Sequence, residues 1–213
     1  MLIPPMPAGA ELTALLAVVC FSAGLNVYAT VAMLGLLARA HFLTLPPSLH
    51  PLENWYVVGI CVALFLIEFV GDKIPLFDLL WNALHTFVRI PAAALLTYAA
   101  TAQLPEWERL LATLVGASIA LAAHGGKMAA RAAVTHSPEP FSNIALSLGE
   151  DAAVIFLTWF ATRHPYAAAA IVFVALAIIA IAVRAVVRAL KRLFRDAESS
   201  ASGRAHESPA HTA

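Results

Sequence analysis

The sequence predicts an all-α protein, a polytopic membrane helix bundle with about six transmembrane helices. Two features of the composition indicate this class: 61% of the 213 residues are hydrophobic, and only 12% are charged. Soluble domains average about 45–50% apolar and about 25% charged residues, which argues against a water-soluble enzyme, a nucleic-acid-binding module and a disordered chain. The third feature is the division of the chain into long apolar runs by short segments rich in proline and charge.

Six apolar runs approach or exceed the length of a membrane-crossing helix, for which about 20 residues suffice. Each run ends at a segment whose prolines and charged residues are typical of turns. The predicted spans are 12–39, 56–70, 76–101, 110–131, 142–161 and 166–187, and the segments between them are 43–54, 71–75, 102–108, 135–141 and 162–165.

The chain is predicted to form one transmembrane helical domain, residues 1–195, followed by a tail. Residues 196–213 are small and polar, which predicts a disordered cytoplasmic tail. The first apolar run has no basic leader and is longer than the core of a signal peptide, so we expect an uncleaved first span. Cys20 and Cys61 lie inside apolar runs without metal-ligand spacing, and we expect both to be small buried residues.

The distribution of basic residues predicts the orientation of the bundle. Six crossings would place both termini and the segments 71–75 and 135–141 on one face of the membrane. That face carries most of the basic residues, which marks the cytoplasmic side. These residues are Lys73, Lys127, Arg131, Arg188, Lys191, Arg192 and Arg195. Both termini are therefore predicted to be cytoplasmic.

Four predicted helices each carry a polar stripe at the cytoplasmic end. Spacings of three and four residues place the members of a stripe on one face of a helix. The stripes are Glu68 and Asp72; Asp78, Asn82, His85 and Arg89; His124, Lys127 and Arg131; and Asn143, Ser147 and Glu150. Ionisable groups at membrane depth normally face the bundle interior, where they pair or do chemistry, so we expect the four stripes to converge.

This convergence predicts a charged cavity for a small ion or a small polar or anionic solute. The candidate residues are Glu68, Asp72, Lys73, Asp78, Asn82, His85, Arg89, His124, Lys127, Arg131, Ser142, Asn143, Ser147, Glu150 and Asp151. The nearby cations argue against a bare metal cage, and neither a metal nor a cofactor is expected. A buried ion-pair network that only fixes helix register is the alternative.

Single residues have alternative interpretations too. Arg131 and Asp151 are charged residues near a predicted interface, where long or polar side chains can extend toward water. Asn26 follows Gly24 within the first apolar run and is expected to make a hydrogen bond between helices at a close contact.

A parallel internal repeat of helices 2–3 and 4–5 is suggested by two similar segments. The segment 71–73 (Gly-Asp-Lys) precedes Asn82, and the segment 125–127 (Gly-Gly-Lys) precedes Asn143. With six crossings both copies have the same orientation, as in transporters whose repeats are related by an axis along the membrane normal.

The chain resembles a bacterial integral-membrane family catalogued as domain of unknown function 4126. The resemblance rests on the segments 24–30 (GLNVYAT), 68–91 (EFVGDKIPLFDLLWNALHTFVRIP), 124–131 (HGGKMAAR) and 137–151 (SPEPFSNIALSLGED) and covers about residues 12–190. It implies a multi-pass protein of the bacterial inner membrane and no established activity. A weaker similarity links Glu68 and the segment 71–73 to the E-x-G-D-K-T/S motif of manganese/calcium exchangers, but Ile74 replaces the hydroxyl residue.

Three functions are compatible with these residues. The first is a small transporter or permease whose carboxylates, beside His and Lys, bind and release protons. The second is a membrane enzyme acting on a lipid or phosphate head group, with His85 or His124 as acid or base; the lack of a nucleophile or metal motif argues against it. The third is a structural or assembly protein. The expected partners are membrane lipids and a small solute, an oligomer is compatible, and nucleic acid is not expected.

Overall fold

The computed structural model describes residues 6–73, 75–135 and 140–206, without the side chains at 75–79, 132–143, 190 and 192–206. This part of the chain contains helices only, so the all-α prediction is confirmed for it. The α-helices are α1 Gly9–Leu25, α2 Val27–Arg39, α3 Trp55–Gly71, α4 Pro75–Ala100, α5 Glu106–Thr135, α6 Pro140–Ala161 and α7 Pro165–His206, with a 3₁₀ helix, Pro47–Glu53, before α3.

Four of these helices contain stretches long and apolar enough to cross a membrane. The stretches are Leu80–Ala100, Glu106–Arg131, Ile144–Ala161 and Pro165–Ala189. The 3₁₀ helix and α3, bent by 63° relative to each other, form a fifth candidate span. These five helices correspond to the last five predicted spans.

The first predicted span, residues 12–39, is interrupted at Asn26. The backbone of Asn26 is extended (φ −151°, ψ 102°), its N–H completes the last turn of α1, and its side-chain oxygen accepts from the Ala29 N–H at 3.0 Å. Asparagine is among the preferred N-cap residues because its side chain replaces a missing backbone acceptor. One residue therefore ends α1 and starts α2.

α1 and α2 form a hairpin instead of one crossing. Leu12 near the start of α1 and Leu43 just after α2 line the same small cavity. Pro7 and Phe42 line a second cavity together with Pro165, the first residue of α7. In one straight helix, positions 12 and 43 would lie about 45 Å apart. α1 therefore enters the bundle from one face, and α2 returns to the same face.

This hairpin corrects the predicted topology. We call the face where α1 begins and α2 ends the hairpin face, and the opposite face, where α3 ends at Gly71, the ionic face. Because the hairpin makes no net crossing, α3 to α7 are the candidate crossings. The count of six spans is therefore not confirmed. Pro7 lies at the hairpin face, beside the start of α7, and the orientation of the two termini stays a prediction.

α1 is the central helix of the bundle. It is apolar on all sides, as a helix buried all round must be, and it packs against α2, α4, α5 and α6. Gly24 allows close approach to α5, because a Cβ there would lie 2.9 Å from the Ala120 Cα and the Ala123 Cβ. Gly35 allows α2 to approach α3 closely, because a Cβ at this position would lie 2.8 Å from Val58 Cγ2.

The internal repeat is not confirmed. Gly71 ends α3, whereas the glycines at 125 and 126 lie inside α5, which continues beyond them. Lys127 is buried in the bundle, while Lys73 donates to the Phe69 carbonyl of its own helix. The two segments are therefore alike in sequence but occupy different positions in their helices.

The chain from Ala177 onward forms a second unit. Its described part is the continuation of α7, on which Arg184, Arg188 and Lys191 are exposed. This helix reaches His206 and so includes residues 196–206 of the predicted tail. The disorder of the tail stays a prediction, and residues 207–213 lie outside the described residues.

Gly24→Ala is expected to destabilise the protein by about 1–3 kcal/mol, the usual cost of overpacking. The added methyl group has no room between α1 and the backbone of α5. Gly59→Ala in α3 is the matched control, because a Cβ added there meets nothing within 4 Å. This substitution should stabilise the helix by up to about 1 kcal/mol. Thermal unfolding in detergent measures both, and equal effects would contradict the close contact.

The hairpin also predicts which positions share a face of the membrane. In a background with Cys20 and Cys61 changed to Ala, Glu11→Cys and Glu53→Cys should react with an impermeant maleimide from the same side. Lys73→Cys should react only from the other side. A chain with six crossings would instead place Glu11 on the side of Lys73, so the labelling pattern decides between the two topologies.

Candidate functional site

Four helices bring seven charged side chains together beside the hairpin tip, residues 24–26. We call this group the ionic cluster: Glu68 and Asp72 at the end of α3, Arg89 of α4, Lys127 and Arg131 of α5, and Glu150 and Asp151 of α6. All of them except Glu150 are buried. Such groups are costly to remove from water unless they are paired, so their contacts decide what the cluster can do.

Arg89 and Glu68 form the innermost pair. Arg89 donates from Nη2 to Glu68 Oε1, and both side chains are fully buried. Lys127 Nζ lies 3.6 Å from the same carboxylate oxygen. Glu68 Oε2 and Arg89 Nε are buried without a hydrogen-bond partner among the described residues. The pair is thus electrostatically matched while part of its hydrogen-bonding capacity is unused.

Lys127 connects the carboxylates to the hairpin. Its Nζ lies 3.3 Å from Glu150 Oε2 and 3.6 Å from Asp72 Oδ2. The same nitrogen donates to the Leu25 carbonyl, the last of α1, at 3.2 Å. A lysine ammonium group has three donors and no acceptor, so Lys127 serves several acceptors from α1, α3 and α6 at once.

Arg131 completes the pairing on the side of the ionic face. Its Nη2 donates to Asp72 Oδ2 at 2.7 Å and to Glu150 Oε2 at 2.8 Å. Ser147 Oγ donates to the same Asp72 oxygen at 3.4 Å. Arg131 is only 3% exposed, so the alternative interpretation of an interface side chain reaching toward water does not hold for it.

His124 is held in its neutral form by its partners. Its Nδ1 lies 3.0 Å from Arg89 Nη1 and must accept, because a guanidinium group can only donate. Nε2 therefore carries the hydrogen and donates to Thr86 Oγ1 at 2.7 Å, and Thr86 donates to the Asn82 carbonyl at 3.3 Å. A relay of hydrogen bonds thus runs from the ionic cluster along α4.

His85 links α4 to the hairpin. Its Nδ1 donates to the Trp81 carbonyl at 2.7 Å, since a carbonyl can only accept. Its Nε2 lies 2.8 Å from the Tyr28 hydroxyl of α2. The neutral ring accepts the phenol hydrogen at this position, and a protonated ring would donate to the phenol oxygen instead.

The two helix ends at the hairpin tip each meet a group of opposite charge. A helix carries a partial negative charge at its C-terminus and a partial positive charge at its N-terminus. Lys127 binds the end of α1 at the Leu25 carbonyl. Asn26 Nδ2, at the start of α2, donates to Asp151 Oδ1 at 3.1 Å. The ionic cluster therefore supplies partners for the two helix ends at the break, in addition to the ion pairs among its own members.

Asp151 differs from the other carboxylates of the cluster. It is 4% exposed, its Oδ1 accepts from Asn26, and its Oδ2 has no hydrogen-bond partner in the described part of the chain. The ion pairs of Lys127 and Arg131 go to other carboxylates. The alternative interpretation of an interface side chain does not hold for Asp151 either, because the residue lies inside the bundle.

The remaining predicted site residues occupy other positions. Lys73 is half-buried, and its Nζ lies 3.3 Å from the centre of the Phe69 ring and donates to the Phe69 carbonyl at 2.6 Å. Asn82 is buried on α4. Ser147, in contrast, belongs to the site, because it is buried and donates to Asp72 of the ionic cluster. The side chains of Asp78, Ser142 and Asn143 lie outside the described residues.

Sequence reasoning missed the hairpin's contribution to the site. Asn26 caps a helix inside the bundle, and Tyr28 and Thr86 bind the two histidines. One signal was present: the first apolar run is longer than the about 20 residues that one crossing needs, and it contains Gly24 two positions before a strong N-cap residue.

The described residues include no group of three or more His, Cys, Asp or Glu side chains that could hold a metal ion. Residues 13–185 match the model of a family described as a domain of unknown function, DUF4126. The chain belongs to the DUF4126 family. Neither curated proteins nor solved structures give a match. The DUF4126 match confirms the resemblance seen in the sequence and includes the hairpin tip and the whole ionic cluster.

The DUF4126 domain contains a second feature on the hairpin-face side, a cavity of about 790 Å³. α1, α4, α5 and α7 line it, mostly with apolar side chains. At its inner end, Cys20 Sγ lies 3.1 Å from Thr97 Oγ1. The contact of Gly24 with Ala120 follows one helical turn further along α1 and α5. This contact lies between the cavity and the ionic cluster.

Removing one member of the innermost pair should be costly. Arg89→Met or Glu68→Gln is expected to lower the free energy of unfolding by about 3–5 kcal/mol, since a buried charge loses its partner. The double variant should lose clearly less free energy of unfolding than the sum of the losses in the two single variants. Glu106→Gln is the control, because its pair with Arg109 is exposed and should contribute less than about 1 kcal/mol. Unfolding in detergent measures the cycle, and additive losses would contradict direct pairing.

Proposed function

We propose that this protein is a small transporter of the bacterial inner membrane, in which the hairpin tip and the ionic cluster bind a small ion or polar solute. The observation that carries the proposal is the break at Asn26, placed inside the bundle against buried charges. Transporters commonly build their binding sites from discontinuous helices whose ends point at charged groups near the bilayer midplane.

The break argues against a network that serves structure alone. A continuous helix satisfies its own backbone hydrogen bonds, and irregular backbone at membrane depth is tolerated only when it is buried in protein or lines a cavity. Replacing buried ion pairs by apolar residues often stabilises a protein. A bundle selected for stability alone would need neither the break nor the charges.

The arrangement on the two sides of the tip fits alternating access. A largely apolar cavity lies on the hairpin-face side, and the ionic cluster lies on the other side. The close contact of Gly24 with Ala120 separates them. A small displacement of the hairpin tip relative to α5 would open a path between the two regions, which is the role of a gate.

The orientation follows from the basic residues. With α7 as a crossing helix, the basic residues that follow its span (Arg188, Lys191, Arg192 and Arg195) would join Lys73 on the ionic-face side. They would outnumber Arg39, Arg109 and Arg163 on the other side, which favours a cytoplasmic ionic face by the positive-inside rule. The hairpin then begins at the extracytoplasmic face together with Pro7. In this orientation the cluster exchanges its solute with the cytoplasm, and the cavity faces the periplasm.

The chemistry of the cluster favours a small solute that is charged or zwitterionic. Lys127 and Arg131 offer donors suited to a carboxylate or phosphate, while Glu68 and Asp72 suit a cation or an ammonium group. Solute binding would replace ion pairs that exist without it, so the charge of the region would change little during the cycle.

A flux assay tests the proposal. Proteoliposomes containing only this protein should take up at least one of four labelled probes, glycine, acetate, inorganic phosphate or rubidium ion, with saturation. Lys127→Met is expected to abolish saturable uptake because it removes the cation that binds both the tip and the carboxylates. Lys73→Met is the matched control and should retain uptake, since Lys73 contacts only its own helix among the described residues.

Other results would contradict the proposal. Absence of saturable uptake for all four probes, with folded and inserted protein, would favour the structural alternative. A protein-dependent change in the mass of a lipid, without any need for two compartments, would favour the enzyme alternative.

A further inference from the structure

Carboxylates outnumber cations among the described members of the ionic cluster. Arg89, Lys127 and Arg131 are all within ion-pair distance of Glu68, Asp72 or Glu150. Asp151 is the fourth carboxylate, and in the described part of the chain its contact is with the neutral Asn26 amide. The surplus negative charge of the cluster is therefore located at Asp151, inside the bundle.

Some groups around Asp151 stabilise its negative charge, and others destabilise it. Lys127 of α5 attracts its negative charge, and Asp72 and Glu68 of α3 repel it. Glu150, the neighbouring carboxylate on α6, is engaged by both cations of α5. The hairpin has no charged residue between 12 and 38, and its one phenol, that of Tyr28, is bound to His85.

These surroundings allow Asp151 to exist in both charge states. Burial and nearby carboxylates disfavour the anion. The Asn26 amide and the partial positive charge at the start of α2 favour it. A carboxylate held between opposing effects can take up and release a proton.

We propose that Asp151 binds the coupling proton of the transport cycle and that its charge controls the hairpin tip; this rests on the proposed function. A proton from hydronium bonds to Oδ2, the oxygen without a partner, and water is released. Proton release reverses this step. The neutral carboxyl group no longer compensates the partial positive charge at the start of α2, so its contact with Asn26 weakens and the tip becomes free to move.

Infrared spectroscopy of the full chain in lipid tests the proton site directly. With ¹³C label in the aspartate carboxyls, wild-type protein should show the C=O band of a protonated labelled aspartic acid as the pH is lowered through the mildly acidic range. Asp151→Asn should lack this band. Glu150→Gln is the matched control and should retain it, because this neighbour is already paired with Lys127 and Arg131.

Asp151→Glu keeps the test decisive if Asp151→Asn does not fold. In this variant the band should move from the labelled aspartate frequency to that of an unlabelled glutamic acid. A wild-type protein that stays folded and shows no labelled band would overturn the proposal. A labelled band that persists in Asp151→Asn would overturn it as well.

Flux measurements distinguish a failure of the proton-site proposal from a failure of the proposed transporter. With a probe that is transported, Asp151→Asn should reduce uptake driven by a proton gradient to the level measured without a gradient. Flux without the labelled band would overturn the assignment of Asp151. A labelled band without flux of any probe would overturn the proposed transporter.

Discussion

Compensation of the two helix ends at the hairpin tip is the constraint on which the rest of the bundle depends. A helix that stops inside a membrane bundle leaves carbonyl and amide groups without partners. Lys127 meets the end of α1, and Asn26 with Asp151 meets the start of α2. A buried lysine in turn requires carboxylates, and those require further cations. The remaining members, Glu68, Asp72, Glu150, Arg89 and Arg131, follow from this sequence of requirements.

The tip is held by polar contacts and the sides of the hairpin by small residues. One hydrogen bond to a charged group contributes about 1.5–3 kcal/mol, which is the scale of the difference between two states of a protein in equilibrium. The contacts of Gly24 and Gly35 with their neighbours, in contrast, leave no space for relaxation. This combination suits a hairpin that exchanges polar partners at its tip while its body keeps its packing.

The sequence predicted the helices better than their path. Apolar runs and proline segments located α3 to α6 within about four residues and the start of α7 within one, because burial in lipid and turn chemistry are both local properties. The continuation of α7 to His206 was not predicted. Polar stripes at helical spacing led to the charged residues that the structure brings together. The return of the chain at Asn26 could not be read in the same way, because a buried asparagine within an apolar run looks alike in a crossing helix and in a hairpin. Only the distant partners of the break distinguish the two: Lys127, which donates to the Leu25 carbonyl, and Asp151, which accepts from the Asn26 amide.

The separation of these partners along the chain has a consequence for biogenesis. Lys127 lies 102 positions after Leu25, and Asp151 lies 125 positions after Asn26. During synthesis, α1 and α2 are made first, while the groups that satisfy their inner ends do not yet exist. Contacts between distant segments form late because the intervening chain must first be ordered. The polar groups at the hairpin tip therefore stay without their inner partners until α5 and α6 have been made.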